Sequence, residues 1–145
     1  MLITAFFDGS CGPQNPGGHV GLGGIIRNGS EVLHEFSEHF DPKDLGPTSN
    51  NLAEHMAFQK VILWLFDNEL DHEDITIFGD SDLVVKQMTL IYRIKHGIYV
   101  PVAEESLQIL KRFQKKPIVR WIPREQNVEA DALSKLRLRE RGIST

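Results

Sequence analysis

Residues 6–10 read FFDGS, where an acidic residue directly follows an apolar run. Residues 2–7 are short, apolar and rich in β-favouring types, which predicts a buried strand that ends at Asp8. A carboxylate at the end of a buried strand costs free energy unless it is paired or binds a metal ion. Asp8 is therefore either a turn residue, together with Gly9, or one part of a site that other segments complete.

The composition is typical of one soluble globular domain. Of the 145 residues, 41% are hydrophobic and 25% are charged, which allows a core of ordinary size. Cys11 is the only cysteine, which excludes a disulfide framework and a cysteine-based zinc site and favours a reducing compartment such as the cytoplasm. The apolar runs are too short to predict a signal peptide or a membrane span.

The charge is distributed unevenly along the chain. The net charge of −4 argues against a simple basic nucleic-acid binder. Residues 31–105 contain five basic and fifteen acidic residues, whereas residues 106–145 contain ten basic and four acidic residues. The basic end is either a solvated helix face or a phosphate-facing surface beside an acidic site, and charge alone slightly favours the solvated face.

Hydrophobic periodicity and turn residues predict an α/β domain with a mixed sheet. A hairpin is predicted over residues 19–36 because Asn28-Gly29 is a strong turn signal between apolar runs. Further strands are predicted at 74–79 and 117–122, and helices at 51–68, 81–92, 102–113 and 128–140. Trp64 and Trp121 lie in a predicted helix and strand, which favours core packing for both.

Four acidic residues lie at equivalent ends of these predicted elements: Asp8, Glu54, Asp80 and Asp131. Each has a structural alternative, which is respectively a turn residue, a charge near a helix start, a helix N-cap and a solvated helix residue. If the four carboxylates converge, they repel one another unless cations neutralise them. Such a cluster is expected to bind hard cations such as Mg²⁺.

Four segments resemble the signature blocks of the type 1 ribonuclease H family and occur in the same order. They are DGSCGPQNPGGHVGLGGII (8–26), TSNNLAEHMA (48–57), FGDSDLVVKQM (78–88) and WIPREQNVEADALSKL (121–136). The resemblance implies one catalytic domain over residues 1–138 and a short tail at 139–145. It also implies a ribonuclease H-like α/β fold, with a five-stranded mixed sheet flanked by helices.

The resemblance implies an endoribonuclease that hydrolyses the RNA strand of RNA–DNA hybrids and leaves 5′-phosphate and 3′-hydroxyl ends. Asp8, Glu54, Asp80 and Asp131 match the catalytic, metal-binding carboxylates of the family. Two Mg²⁺ ions, with Mn²⁺ as a substitute, would activate a water molecule and stabilise the leaving oxygen from positions about 3.5–4 Å apart. The expected protein is a monomer without a membrane partner.

Other family positions imply contacts with the substrate. Asn15, Asn50 and Asn51 match residues that contact the hybrid backbone, and Ser49 is a weaker candidate for a phosphate of the DNA strand. Because Asn and Gly also favour turns, ordinary loop chemistry is the alternative for these residues. The 2′-hydroxyl group is the feature by which such residues can distinguish RNA from DNA.

The loop after the last predicted strand departs from the family. It reads PREQN (123–127) and lacks the histidine that many relatives carry. Arg124 or Glu125 is expected to replace this histidine, unless metal-bound water suffices. Because some relatives with a histidine-free loop have broader specificity, double-stranded RNA is left open as a second substrate.

Two other functions remain open at this point. One is a DNA-directed nuclease or integrase of the same broad fold, and the other is a non-catalytic nucleic-acid-binding domain. The segments NPG (15–17) and SNN (49–51) favour an enzyme that recognises RNA, and the presence of all four acids argues against a degenerate domain.

Overall fold

Five strands form one mixed sheet, in the order β3-β2-β1-β4-β5, in the computed structural model, which describes residues 1–145. The strands are β1 (Leu2–Gly12), β2 (His19–Asn28), β3 (Glu31–Phe40), β4 (Asp74–Gly79) and β5 (Ile118–Trp121). The helices are α1 (Pro42–Leu45), α2 (Asn50–Asp67), α3 (Asp82–Met88), α4 (Val100–Lys111) and α5 (Val128–Glu140). The expected five-stranded mixed sheet with flanking helices is confirmed.

The central strand β1 continues past Asp8, so the prediction that it ends there is wrong. β1 pairs antiparallel with β2 as far as Gly12, and Asp8 lies opposite Gly23. The parallel pairing with β4 is shorter and ends where Phe7 meets Gly79. Asp8 is therefore the first residue of β1 beyond its parallel pairing with β4. This places Asp8 beside Asp80, the residue that follows β4.

Glycines allow two helices to approach the sheet closely on opposite faces. A Cβ atom at Gly9 would overlap the main chain of Ala53 in α2. A Cβ atom at Gly21 would overlap the main chain of Ser134 in α5. Because Gly9 pairs with Leu22, and side chains alternate along β2, Gly9 and Gly21 face opposite sides. The close approach fixes both helices relative to β1.

The core lies between the sheet and α2, which is apolar around much of its circumference. Its largest fully buried side chains include Ile3, Phe7, Leu22, Phe58, Ile62, Leu65 and Ile77. Burying each large apolar side chain contributes about 1.5–3 kcal/mol. None of the helices combines the length and the apolar character that crossing a bilayer requires.

Helix α3 is shorter than predicted, because it ends at Met88 and not at residue 92. Leu90 has a φ of 64°, a left-handed conformation that is typical of residues just past a helix end. The next residues, Ile91 and Tyr92, are exposed. The left-handed conformation of Leu90 therefore ends α3 and begins the segment that leads to α4.

Candidate active site

Three of the predicted acids, Asp8, Glu54 and Asp80, lie together where β1 and β4 separate. One carboxylate oxygen of each residue lies within 4.8 Å of the others. Asp8 and Asp80 become neighbours because each follows the last parallel pair of the two strands. Glu54 reaches the same place from α2, whose main chain rests on Gly9.

Burial and mutual repulsion oppose the charged forms of these acids. Asp8 is 6% exposed, and burial together with the nearby Asp80 raises the pKa of Asp8 to about 8. Burial also raises the pKa of Glu54 and the pKa of Asp80 above their usual values. Two or three carboxylates in this space therefore need a positive partner to be charged together.

The cluster is compatible with a divalent metal ion. Its donors are carboxylate oxygens, which hard cations prefer. Oδ2 of Asp80 is buried and has no hydrogen-bond partner in the protein, so it has a free position for a ligand. Asp8, Glu54 and Asp80 are therefore the residues that could hold such an ion.

Asp131 lies beside this cluster and is paired with a lysine. Its carboxylate is 3.0 Å from Nζ of Lys135, one turn further along α5. Burial acts to raise the pKa of Asp131, but Lys135, Asp8 and Arg124 together outweigh it, and the pKa lies below its usual range. Asp131 is still close enough to Asp8 for the two carboxylates to interact. The structure thus joins three predicted acids and places the fourth at their edge.

Two of the predicted substrate-binding residues are linked to Glu54. Nδ2 of Asn50 donates to Oε1 of Glu54 at 2.8 Å. The main-chain N–H of Asn50 in turn donates to Oδ1 of Asn15 at 3.0 Å. These contacts tie the β1–β2 loop to α2 and place the Asn50 amide next to Glu54.

The other predicted substrate-binding residues occupy different surroundings. Oγ of Ser49 caps α2 by accepting a hydrogen bond from the main-chain N–H of Leu52 at 3.1 Å. Asn51 is exposed on the first turn of α2.

Arg124 lies in a short 3-10 turn, Arg124–Gln126, and its charge acts to lower the pKa of both Glu54 and Asp80. Contact of these residues with a substrate stays a prediction.

Trp121 of β5 borders the candidate site and lies at the surface. Its side chain is 51% exposed, so the prediction of core packing is wrong for this residue. The reason is that β5 is a short edge strand, whose residues are only partly covered. The indole N–H of Trp121 donates to the main-chain oxygen of Asp80 at 3.2 Å, and so supports the acid from outside.

Asn127 and Ser134 border the candidate site without having been predicted from the sequence. Asn127 is buried, and its Nδ2 donates to the main-chain oxygen of Phe7 at 2.9 Å. The nearby Asn127 side chain also acts to lower the pKa of Asp80. An Asn directly before a helix is a common N-cap signal, but no local pattern predicts a contact with β1 or Ser134's contact with Asp8.

The fold and the acid cluster together define a ribonuclease H-like protein. The reverse transcriptase-like family model matches residues 6–137, which is most of the chain. The chain belongs to this family, and its structural matches assign it to the ribonuclease H family, as the sequence blocks predicted.

Solved ribonuclease H1 structures share this fold over nearly the whole chain. The enzyme from the halophilic archaeon Halobacterium salinarum NRC-1 is 26% identical, with a TM-score of 0.81, and the match covers 97% of this chain and 99% of that one. LC11-RNase H1, whose crystal structure is in complex with an RNA/DNA hybrid, is 27% identical with a TM-score of 0.82. That match covers 96% of this chain and 98% of LC11-RNase H1.

A longer curated relative also matches. The bifunctional protein Rv2228c of Mycobacterium tuberculosis (strain ATCC 25618 / H37Rv) is 27% identical over 137 residues, which is 92% of this chain. The chain spans 35% of the length of this protein and of the other mycobacterial relatives it matches. The likeness therefore concerns one part of those proteins.

Proposed function

We propose that this chain is a metal-dependent endoribonuclease that hydrolyses the RNA strand of RNA–DNA hybrids. The observation that carries the proposal is the convergence of Asp8, Glu54 and Asp80 within 4.8 Å in a chain of the ribonuclease H family. The hybrid-bound structure of LC11-RNase H1, which shares the fold, supports this choice of substrate. The proposed products carry 5′-phosphate and 3′-hydroxyl ends.

The metal requirement follows from the charge of the site. Two Mg²⁺ ions held by Asp8, Glu54, Asp80 and Asp131 would supply an activated water and stabilise the charge on the leaving oxygen. For Asp131 to take part, its carboxylate would exchange Lys135 for an ion, since the two are 3.0 Å apart in the free protein. Mn²⁺ prefers the same oxygen donors and is the proposed substitute.

The remaining residues of the site position the substrate. Asn50 donates to Glu54, and Asn15 accepts from the main-chain N–H of Asn50, which supports a role for both amides beside a bound ribose and its phosphate. Amide groups both donate and accept hydrogen bonds, which suits recognition of a 2′-hydroxyl. The Arg124 guanidinium adds a positive charge near the acids, which suits a phosphate of the bound strand.

The test is a cleavage assay on four labelled substrates: RNA–DNA, RNA–RNA, DNA–DNA and single-stranded RNA. With Mg²⁺ or Mn²⁺ we expect cleavage of the RNA strand in the hybrid, and with a chelator none. End analysis should find 5′-phosphates on the products. A folded, metal-replete protein that leaves the hybrid intact would refute the proposal.

The same assay distinguishes the alternatives. Cleavage of RNA–RNA would extend the activity to double-stranded RNA, as the histidine-free loop suggests. Cleavage of DNA–DNA without the hybrid would favour a DNA-directed nuclease. Hybrid binding without cleavage would favour a non-catalytic nucleic-acid-binding domain.

A further inference from the structure

Ser134 is a buried serine of α5 whose hydroxyl group reaches the acid cluster. Its Oγ lies 3.0 Å from Oδ2 of Asp8 and 2.8 Å from the main-chain oxygen of Asp131. The residue is 0% exposed, so bulk water does not compete for these contacts. A serine hydroxyl has one proton to donate, and once Asp8 is ionised, as metal binding requires, its carboxylate is the stronger of the two acceptors.

The main chain at Ser134 is held in place without help from this hydroxyl. Oγ of Ser10 donates to the main-chain oxygen of Ser134 at 2.9 Å. Gly21 and Gly23 of β2 leave room for α5 at this point, because a Cβ atom on either glycine would overlap the helix main chain. Removing Oγ from Ser134 should therefore leave the position of α5 unchanged.

The contact restricts the rotation of the Asp8 carboxyl group. The terminal torsion of an aspartate side chain has a broad energy minimum, so the carboxylate needs a partner to fix its orientation. Ser134 contacts Oδ2 from the α5 side, while Glu54 and Asp80 lie within 4.8 Å in the cluster. Hydrogen-bond partners of metal-binding carboxylates commonly change metal affinity or activity by about 10–100-fold.

We propose that Ser134 is a positioning residue, whose hydroxyl holds the Asp8 carboxylate in the orientation in which Asp8, Glu54 and Asp80 share a divalent cation. Ser134 acts through Asp8 and touches neither the substrate nor the ion. The inference rests on one part of the proposed function, namely that the cluster binds a metal ion.

The experiment compares Ser134→Ala with Ser106→Ala. Ser106 is also 0% exposed and hydrogen-bonded, but it lies on α4 and its partner is Gln59. Calorimetric titration of the metal-free proteins with Mn²⁺ should show about 10–100-fold weaker binding in Ser134→Ala and unchanged binding in Ser106→Ala. In hybrid cleavage, the Mn²⁺ concentration for half-maximal rate should rise by the same factor, while the rate at saturating Mn²⁺ largely recovers.

Thermal melting in chelator separates positioning from stability. Ser134→Ala should melt close to the parent, and parental Mn²⁺ affinity in this folded variant would overturn the inference. Ser134→Cys is a second variant, because a thiol is only slightly larger than a hydroxyl group but donates only weakly. It should also bind Mn²⁺ more weakly than the parent. If the loss of Mn²⁺ affinity in Ser134→Ala and Ser134→Cys only follows their loss of thermal stability, the inference would also be overturned.

Failure of the proposed function gives a different result. A parent protein that binds Mn²⁺ but leaves the hybrid intact would refute the nuclease proposal, while the titrations would still decide the role of Ser134. A parent protein that binds no Mn²⁺ would overturn the inference about Ser134 itself.

Discussion

Asp80 is a residue whose carboxylate gives the metal-free fold little benefit. The N-cap of α3 is its neighbour Ser81, whose Oγ accepts from the main-chain N–H of Val84 at 3.2 Å. Burial raises the pKa of Asp80, and its Oδ2 is buried without a partner. Both observations fit the proposal that this carboxylate binds a cation, and they give it no role in stabilising the metal-free chain.

Replacing Asp80 by Asn should therefore separate activity from stability. The metal-free variant should be as stable as the parent or more stable, because the cluster loses one negative charge. Cleavage should fall by orders of magnitude, because a neutral amide is a poor ligand for Mg²⁺. Melting curves in chelator and cleavage rates in Mg²⁺ measure the two effects.

The control for this variant is Asp82→Asn, which changes an exposed acid on the first turn of α3. It should cleave normally, and because an acid favours a helix start its stability should fall only slightly. An Asp80→Asn protein that melts early but cleaves normally when folded would show that Asp80 is structural.

The pKa of Asp8 predicts how the stability of the metal-free protein depends on pH. Its folded-state value of about 8 lies above the ordinary 3.8. Between these values the folded chain keeps a proton that the unfolded chain releases, so the free energy of unfolding falls as pH rises. Asp8→Asn removes this loss, and its gain in melting temperature over the parent should grow from pH ~4 to pH ~8. The melts are measured in chelator, and a gain in melting temperature that is the same at every pH would contradict the raised pKa of Asp8.

Arg124 is predicted to contact a phosphate of the bound hybrid. Arg124→Ala should weaken hybrid binding about tenfold, the usual scale for one charge-assisted hydrogen bond. Arg120→Ala removes an exposed positive charge from β5 and serves as the control. KM values over a salt series measure the effect. Equal KM values for Arg124→Ala and the parent would contradict a contact between Arg124 and a phosphate.

At the scale of the elements, some boundaries follow from local sequence and others do not. The predicted limits of α5 and β4 agree with the structure, because turn-forming residues flank both segments. The extension of β1 to Gly12 depends on pairing with β2, and the end of α3 depends on one left-handed residue. Neither feature leaves a periodic signal in the sequence.

The site shows the same division between local and long-range information. Asp8, Glu54 and Asp80 could be predicted because each lies in a recognisable sequence motif, although Asp8 lies within β1 and not at its end. The pairing of Asp131 with Lys135, and the contacts of Ser134, depend on how α5 lies against β1. Such packing determines orientation, which the spacing of residues along the chain does not specify.

Gly9 connects the packing of α2 with the geometry of the acids. Gly9→Ala should push α2 away from β1, because a Cβ atom there would overlap the main chain of Ala53 and Glu54. We expect a loss of about 1–3 kcal/mol in the free energy of unfolding, as for other overpacked sites. Mn²⁺ affinity should fall as well, since Glu54 moves away from Asp8. Chemical denaturation and calorimetry measure the two effects.

The matched control is Gly29→Asn in the β2–β3 turn. Gly29 has a φ of 60° and open space around its Cα, and Asn tolerates this conformation. The control should keep the parental Mn²⁺ affinity. If Gly9→Ala also kept the parental Mn²⁺ affinity, the distance between α2 and β1 would not determine metal binding at the site.

At the scale of the whole molecule, the charge separates into an acidic middle and a basic end. The net charge is −4, yet residues 106–145 hold ten of the sixteen basic residues. Elements from both parts border the site, since Asp80 follows β4 while Arg124 precedes α5. A polyanion would therefore be attracted by the basic residues and held at the acids only through cations.

Hybrid affinity should consequently depend steeply on salt. The cleavage-deficient Asp80→Asn protein should bind more weakly with each increase between about 50 and 200 mM salt, by a logarithmic slope of roughly −0.7 to −0.9 per phosphate contact. Fluorescence anisotropy of a labelled hybrid measures this slope, and adding Arg124→Ala should reduce its magnitude by about one contact. A slope near zero would mean that non-ionic contacts dominate binding.

The hydrogen bond between Ser134 and Asp8 joins residues 126 positions apart, and this gives the site an order of assembly during synthesis. The ribosome releases Asp8, Glu54 and Asp80 well before α5, so a growing chain carries the acids without the helix that orients them. A domain of this kind folds as a unit. The complete acid site therefore forms only after α5 has been synthesised, and the contact that orients Asp8 is among the last to form.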